Sequence, residues 1–155
     1  MALFVDGNIT SLQDLAAQES SILDLAHSEG IDLGAKLELA QRELAIELDR
    51  FISRNAGGAD GVSVENVVIT QPLRRWHALR TLMLAYRDAS NNQLNDRFRD
   101  KLATYAQVER GAAGQLFEAG VGVVWNPVHA TDPEQSGSDQ APDFYVTRDQ
   151  RLRRG

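Results

Sequence analysis

Residues 33–51 read LGAKLELAQRELAIELDRF. Leu33, Leu37, Ala40, Leu44, Leu48 and Phe51 recur every three or four residues, which puts them on one stripe of an α-helix. Glu38, Arg42, Glu43, Glu47 and Arg50 occupy the opposite face. Asp32, just before the stripe, is a capping residue. Working outward, Ser11 followed by Asp14 is a capping-box-like start, and Leu12, Leu15, Ile22, Leu25 and Ala26 continue it at near-helical spacing. Gly30 supplies the stop, because glycine accepts a left-handed C′ conformation at low cost. The short link of Ile31 and Asp32 makes these two helices neighbours, in an antiparallel arrangement.

Toward the C-terminus, SRNAGGADGVS (53–63) has loop composition. VENVVI (64–69) reads either as a short extended piece or as a loop segment packed on the helices. Thr70 and Pro72 mark a third helix start, since proline is tolerated in a first turn. Trp76, Leu79, Met83 and Tyr86 form one stripe of that helix, and Leu73, Arg80 and Leu84 form the next face. Ser90, Asn91 and Asn92 predict a kink or break. A fourth helix is expected from Gln93 to Ala119, with Leu94, Phe98, Leu102, Tyr105, Ala112 and Leu116 on one face. Gly111 and Gly114 in its last third suggest a close crossing or a bend. VGVVWNPV (121–128) is strand-like, HATDPEQSGSDQAPD (129–143) is a polar linker, and Phe144, Tyr145 and Val146 precede an arginine-rich end. The expected fold is therefore all-α. It is a helical bundle of about four helices over residues 1–120, with a long loop, followed by an extended segment, linker and basic C-terminal arm over 121–155.

Composition narrows the function. The chain has 155 residues, enough for one domain that buries roughly 68–70% of its unfolded surface. It has no cysteine, which removes disulfides, thiolate metal sites and cysteine nucleophiles. No apolar run approaches the ~18 residues of a membrane span, and the first residues do not read as a signal peptide. A soluble protein made in a cytosol is expected. The net charge of −6 argues against a dedicated DNA binder. It is unevenly placed, with 12 acidic against 4 basic residues in 1–70 and 5 against 8 in 71–120. Arginine supplies 14 of the 16 basic residues, which suits protein interfaces but also follows from a GC-rich genome.

No catalytic, cofactor or metal site is legible, and no enzyme is expected. His27, His77 and His129 are too far apart in sequence to form a helical metal pair. Phosphate-binding and nucleophile-elbow motifs are missing. Trp76, Tyr86, Phe98 and Tyr105 have the spacing of core residues rather than of a base-stacking platform. Arg74, Arg75, Arg80 and Arg87 admit two readings against Glu38, Glu43 and Glu47: salt bridges within the chain, or pairing between subunits of a ring. The C-terminal arm, with Phe144, Tyr145, Val146, Arg148, Arg151, Arg153 and Arg154, has the chemistry of a segment that docks on a partner.

The string PLRRWHALRTL (72–82), then AYRDA (85–89) and NQLNDRF (92–98), follows two acidic helices and a glycine-rich loop. This order resembles the helical head–tail connectors of tailed bacteriophages, also called adaptor or head-completion proteins, over roughly residues 11–120. The resemblance implies a structural virion protein at the head–tail junction, without cofactor, made in the host bacterial cytoplasm. Such proteins form a ring of commonly about twelve copies in the neck, beneath the portal. The ring extends the channel, through which DNA only passes, without sequence specificity, and presents a platform to tail or neck proteins. C-terminal segments typically embed in the portal, and the matching segment here is Phe144 to Arg154. The alternatives are another neck or tail-completion protein of a phage or phage-like injection machine, and a helical regulatory binding protein.

Overall fold

The computed structural model describes residues 2–7, 9–56, 61–92, 96–127 and 141–148. The chain is mostly helical, as its patterning predicts. The described helices are α1 (Leu12–Gln18), α2 (Ile22–Glu29), α3 (Leu33–Asn55), α4 (Gln71–Asn92) and α5 (Arg99–Ala119). Two short strands, β1 (Val121–Val123) and β2 (Phe144–Val146), and two 3-10 turns at Phe4–Asp6 and Val64–Asn66 complete the order. The chain divides into two compact units. A helical unit comprises Thr10–Leu44 and Arg74–Ala113, and a mixed unit comprises Met1–Ile9, Ala45–Leu73 and Gly114–Gly155. The expected division at residue 120 falls inside the mixed unit, because β1 and the residues around Val67 share backbone hydrogen bonds.

In the helical unit, Ser11 and Asp14 form the expected capping box. The Asp14 amide donates to Ser11 Oγ at 3.2 Å, and the Ser11 amide donates to Asp14 Oδ2 at 2.7 Å. The single helix expected between Ser11 and Gly30 is two helices. Glu19 leaves helical geometry (φ −138°, ψ 102°), and α2 restarts after Ser21. Across this break the Ser21 hydroxyl donates to Glu19 Oε1 at 2.8 Å. Gly30 ends α2 in the left-handed region at φ 64°, as its position predicts. Asp32 accepts from the Ala35 amide at 3.1 Å and so caps α3.

The core of this unit joins Leu15, Ile22, Leu25 and Ala26 to Leu33 and to Ala78, Leu82, Ala85, Tyr86 and Ala89 of α4, with Phe98 beside them. Full burial of each leucine or isoleucine contributes about 1.5–3 kcal/mol. Burial on α4 exceeds the two faces read from sequence, because Ala78, Leu82 and Ala85 are enclosed as well as Trp76 and Tyr86. A helix enclosed on most sides shows only a weak amphipathic period. Ser90, Asn91 and Asn92 form the last turn of α4, so the expected break falls at the end of that run, and α5 begins at Arg99 rather than Gln93. Leu94 lies outside the described residues.

In the mixed unit, α3 continues to Asn55, three residues into the expected loop, and buries Leu48, Phe51 and Ile52. Phe51 stacks on Phe117 of α5 at 4.4 Å between ring centroids. A Cβ at Gly111 or Gly114 would meet nothing within 4 Å, so neither glycine serves a close helix crossing.

Four extended segments run side by side in this unit. The Phe4 amide donates to Val67 O and the Ile69 amide to Ala2 O, both at 2.8 Å. On its other side, this middle segment bonds to β1: Val68 N–H to Gly122 O and Val124 N–H to Asn66 O, both at 2.9 Å. The Asn66 side-chain amide donates to Val124 O at 2.9 Å and closes the join. VENVVI is thus both of its readings at once, a 3-10 turn and then an extended piece. Strand β2 pairs antiparallel with β1, with Val121 opposite Val146, Gly122 opposite Tyr145 and Val123 opposite Phe144.

Candidate interaction surface

The C-terminal arm begins in the chain's own sheet. Phe144, Tyr145 and Val146 are β2, and Val146 is buried. Gly122 of β1 and Gly120 just before it make the pairing possible. Gly120 has φ 108°, and a Cβ there would lie 2.8 Å from Tyr145 Cβ and 3.0 Å from Thr147 Cγ2. A Cβ at Gly122 would lie 2.8 Å from Pro142 Cγ. The Gly120-Val-Gly122 spacing therefore clears a bed for residues 142–147.

The ladder also fixes which way β2 faces. Gly122 and Val124 direct their backbone groups at the Asn66–Val68 segment, so Val121 and Val123 direct theirs at β2. Phe144 and Val146 answer them, which leaves the Tyr145 amide and carbonyl on the outer edge. Tyr145 is 48% exposed and Trp125 54% exposed. Trp125 is held by its amide, which donates to Asp143 Oδ2 at 2.9 Å, and by Phe144, with ring centroids 4.5 Å apart. Among the described residues, the result is a short open strand edge with the exposed ring of Tyr145 and the anchored ring of Trp125 beside it, the composition that interface centres favour. Arg148, two residues beyond β2, places its guanidinium 5.7 Å over the Phe117 ring. Arg151, Arg153 and Arg154 lie outside the described residues, as does His129.

The charge candidates separate. Arg80 is internal to the helical unit: its Nη1 pairs with Glu43 Oε2 at 2.8 Å. Its Nε and Nη2 reach Glu109 Oε1 at 2.8 and 2.6 Å. The same carboxylate oxygen accepts from Trp76 Nε1–H at 2.6 Å. Glu109 is buried, and truncating one partner of such a group leaves an uncompensated buried charge. For Arg80 and Glu43, the reading of salt bridges within the chain therefore holds. Arg74, Arg75 and Arg87 are exposed, and Glu38 is exposed beside Arg42 at 3.6 Å. Glu47 is half-buried and lines a cavity in the mixed unit.

Other polar groups are structural. His77 is buried between Thr10 Oγ1 at 2.8 Å and Leu37 O at 3.0 Å. A carbonyl only accepts, so Nε2 carries the proton and donates to Leu37 O. Burial lowers the His77 pKa, against the smaller raising effect of the Leu37 contact, and keeps the ring neutral. Glu19 accepts from Lys101 Nζ at 2.8 Å and from the Tyr105 hydroxyl at 2.5 Å. The Lys101 hydrogen bond, then that of Tyr105, holds the Glu19 carboxyl down at about 2. Trp76 and Tyr86 are buried and Tyr105 stacks on Tyr86 at 5.4 Å, so these aromatics pack the unit. Among the described residues, no three His, Asp or Glu side chains gather as a metal set, and no helix is long and apolar enough to cross a membrane.

Sequence reasoning passed over Glu109 and Trp125. Glu109 was detectable: it fills the gap between Tyr105 and Ala112 on the α5 stripe, opposite in charge to Arg80 on an apolar face of α4. Nothing in the local sequence distinguishes Trp125 from a core residue of the VGVVWNPV segment. No family model matches the chain, and no curated protein or solved structure matches it.

Proposed function

We propose that this chain is a structural protein of a phage-type head–tail neck. Its helices form the bundle that assembles as a ring between portal and tail and extends the DNA channel. Its C-terminal arm docks on the portal. The reading rests on the similarity of residues 72–98 and their helical context to head–tail connectors. Such a role asks for no reaction, only for rigid subunits and repeated weak contacts that gain strength through multivalency.

The observation that supports it most is the anchoring of β2. Strand pairing with β1 gives the arm a fixed root, with an open strand edge, Tyr145 and Trp125 beside it. A partner segment that adds to this edge gains main-chain hydrogen bonds at Tyr145 and apolar contact with the two rings. The proposed docking arm thus differs from a free tail. Phe144 and Val146 anchor it, Tyr145 is on offer, and the arginines beyond β2 supply charge.

The experiment is a pull-down of N-terminally tagged protein from cells producing the particle, with partners identified by mass spectrometry and the eluate imaged by negative-stain electron microscopy. Recovery of a portal protein and tail proteins, with rings or collars in the images, is the expected result. Recovery of one soluble partner without particle proteins would replace this reading with the regulatory one.

A further inference from the structure

The mixed unit contains a cavity of about 500 Å³ that the neck reading does not use. Its lining includes Glu47, Arg50, Phe51 and Arg54 from α3, Phe117 from α5 and Arg148 from beyond β2. Phe51 and Phe117 are stacked and almost wholly enclosed, so they form a rigid apolar floor. Arg50, Arg54 and Arg148 are exposed around it.

The charges at this cavity are out of balance. Among the described residues, no acidic side chain pairs with Arg50, Arg54 or Arg148, in contrast to Arg80. Arg50 and Arg54 are four apart on one helix, where like charges repel by a few tenths of a kcal/mol. Arg148 arrives from a distant part of the chain and adds a third cation, held over the Phe117 ring. Arg54 also complements the terminal carbonyls of α3, which accounts for one of the three. Counting Glu47, the described residues of the lining carry a net charge of +2. A doubly charged anion neutralises it, and guanidinium forks match phosphate oxygens two at a time. The volume lies in the range of ligand pockets and exceeds the needs of a single small ion.

We propose that this pocket binds a phosphate group carried on a larger ligand, with Arg50, Arg54 and Arg148 as the phosphate-binding residues and the Phe51–Phe117 pair as the floor. The phosphate belongs either to a free phosphorylated small molecule or to a nucleic-acid backbone. The site stands apart from the neck reading, so either holds if the other fails.

The test is isothermal titration of the full chain at low ionic strength with inorganic pyrophosphate and, separately, with a short duplex DNA. Wild type is expected to bind at least one probe, and Arg50→Ala/Arg54→Ala and, independently, Arg148→Ala to weaken that binding about tenfold or more. All three arginines are exposed, so circular dichroism and Tm should match wild type. Binding of pyrophosphate assigns a free phosphorylated ligand. Binding of DNA alone, with a salt dependence that becomes shallower in the double variant, assigns the backbone phosphate. No binding of either probe, or binding that survives unchanged in both variants, overturns the proposal.

Discussion

Arg80 of the helical unit and the three arginines around the cavity of the mixed unit stand in opposite settings. In the helical unit, Arg80 is enclosed and meets Glu43 and Glu109, with Trp76 sharing the Glu109 oxygen. In the mixed unit, Arg50, Arg54 and Arg148 are exposed around a cavity, without an acidic partner among the described residues. An enclosed and satisfied cation specifies one packing of its neighbours, and its removal is costly. An exposed cation without an acidic partner adds little to folding. The same residue type thus marks a structural interior in one region and a candidate contact surface in the other.

The comparison breaks most directly at Arg80. Arg80→Leu should lower the unfolding free energy by about 3–5 kcal/mol, because Glu109 is left as an uncompensated buried carboxylate. Arg50→Leu in parallel urea titrations should stay within about 0.5 kcal/mol of wild type. Equal losses in the two variants would erase the distinction between the units.

Within the mixed unit, Gly120→Ala combines strain at φ 108° with a Cβ 2.8 Å from Tyr145 Cβ. It should cost about 1–3 kcal/mol and loosen β2. The readout is tryptophan emission in a Trp76→Phe background, which leaves Trp125, whose contact with Phe144 depends on that strand. An unchanged emission spectrum and Tm would mean that β2 does not rest on this glycine.

The helical unit should also carry its own acid sensitivity. Glu19 has a folded pKa of about 2 against an ordinary 4.5. A lowered carboxylate stabilises the fold above its unfolded pKa, and that stabilisation fades as pH falls from about 4.5 to about 2. Glu19→Gln should lose on the order of 2 kcal/mol at neutral pH and show a flatter stability profile across that window. A variant profile parallel to wild type would assign the acid sensitivity elsewhere. The smallest effects are the two open glycines of α5: Gly111→Ala and Gly114→Ala should each raise stability by about 0.5–1 kcal/mol.

Local signals carried much of α1 to α4. The Ser11–Asp14 box, Gly30, the Asp32 cap, Pro72 in the first turn of α4 and the stripe from Leu33 to Phe51 all occur where the residues place them. Each depends on neighbours within one or two turns. The α1–α2 break was written in Ser20 and Ser21, but the Leu12–Ala26 spacing outweighed it. The mixed unit was far less legible. Its strip joins residues 2–4, 67–69, 121–124 and 144–146, and no local period announces a pairing between segments so distant in sequence. The aromatic run Phe144–Val146 read as a docking strand, and it is a strand, but its first partner is β1 of its own chain. The cavity was invisible for the same reason, since Arg148 reaches Phe117 only through that pairing.

The central proposal is that an arm rooted in β2 docks the chain on a portal. Its most direct test is mass photometry of a portal protein from the same genome, mixed with the full chain or with a Trp125→Ser/Tyr145→Ser variant ending at Arg148, which keeps the β1–β2 pairing and the cavity residues. The account predicts that the full chain adds the mass of many copies to the portal. The shortened chain, with an unchanged Tm, should add little or none. Equal loading by both chains, or no loading by the full chain, would contradict it.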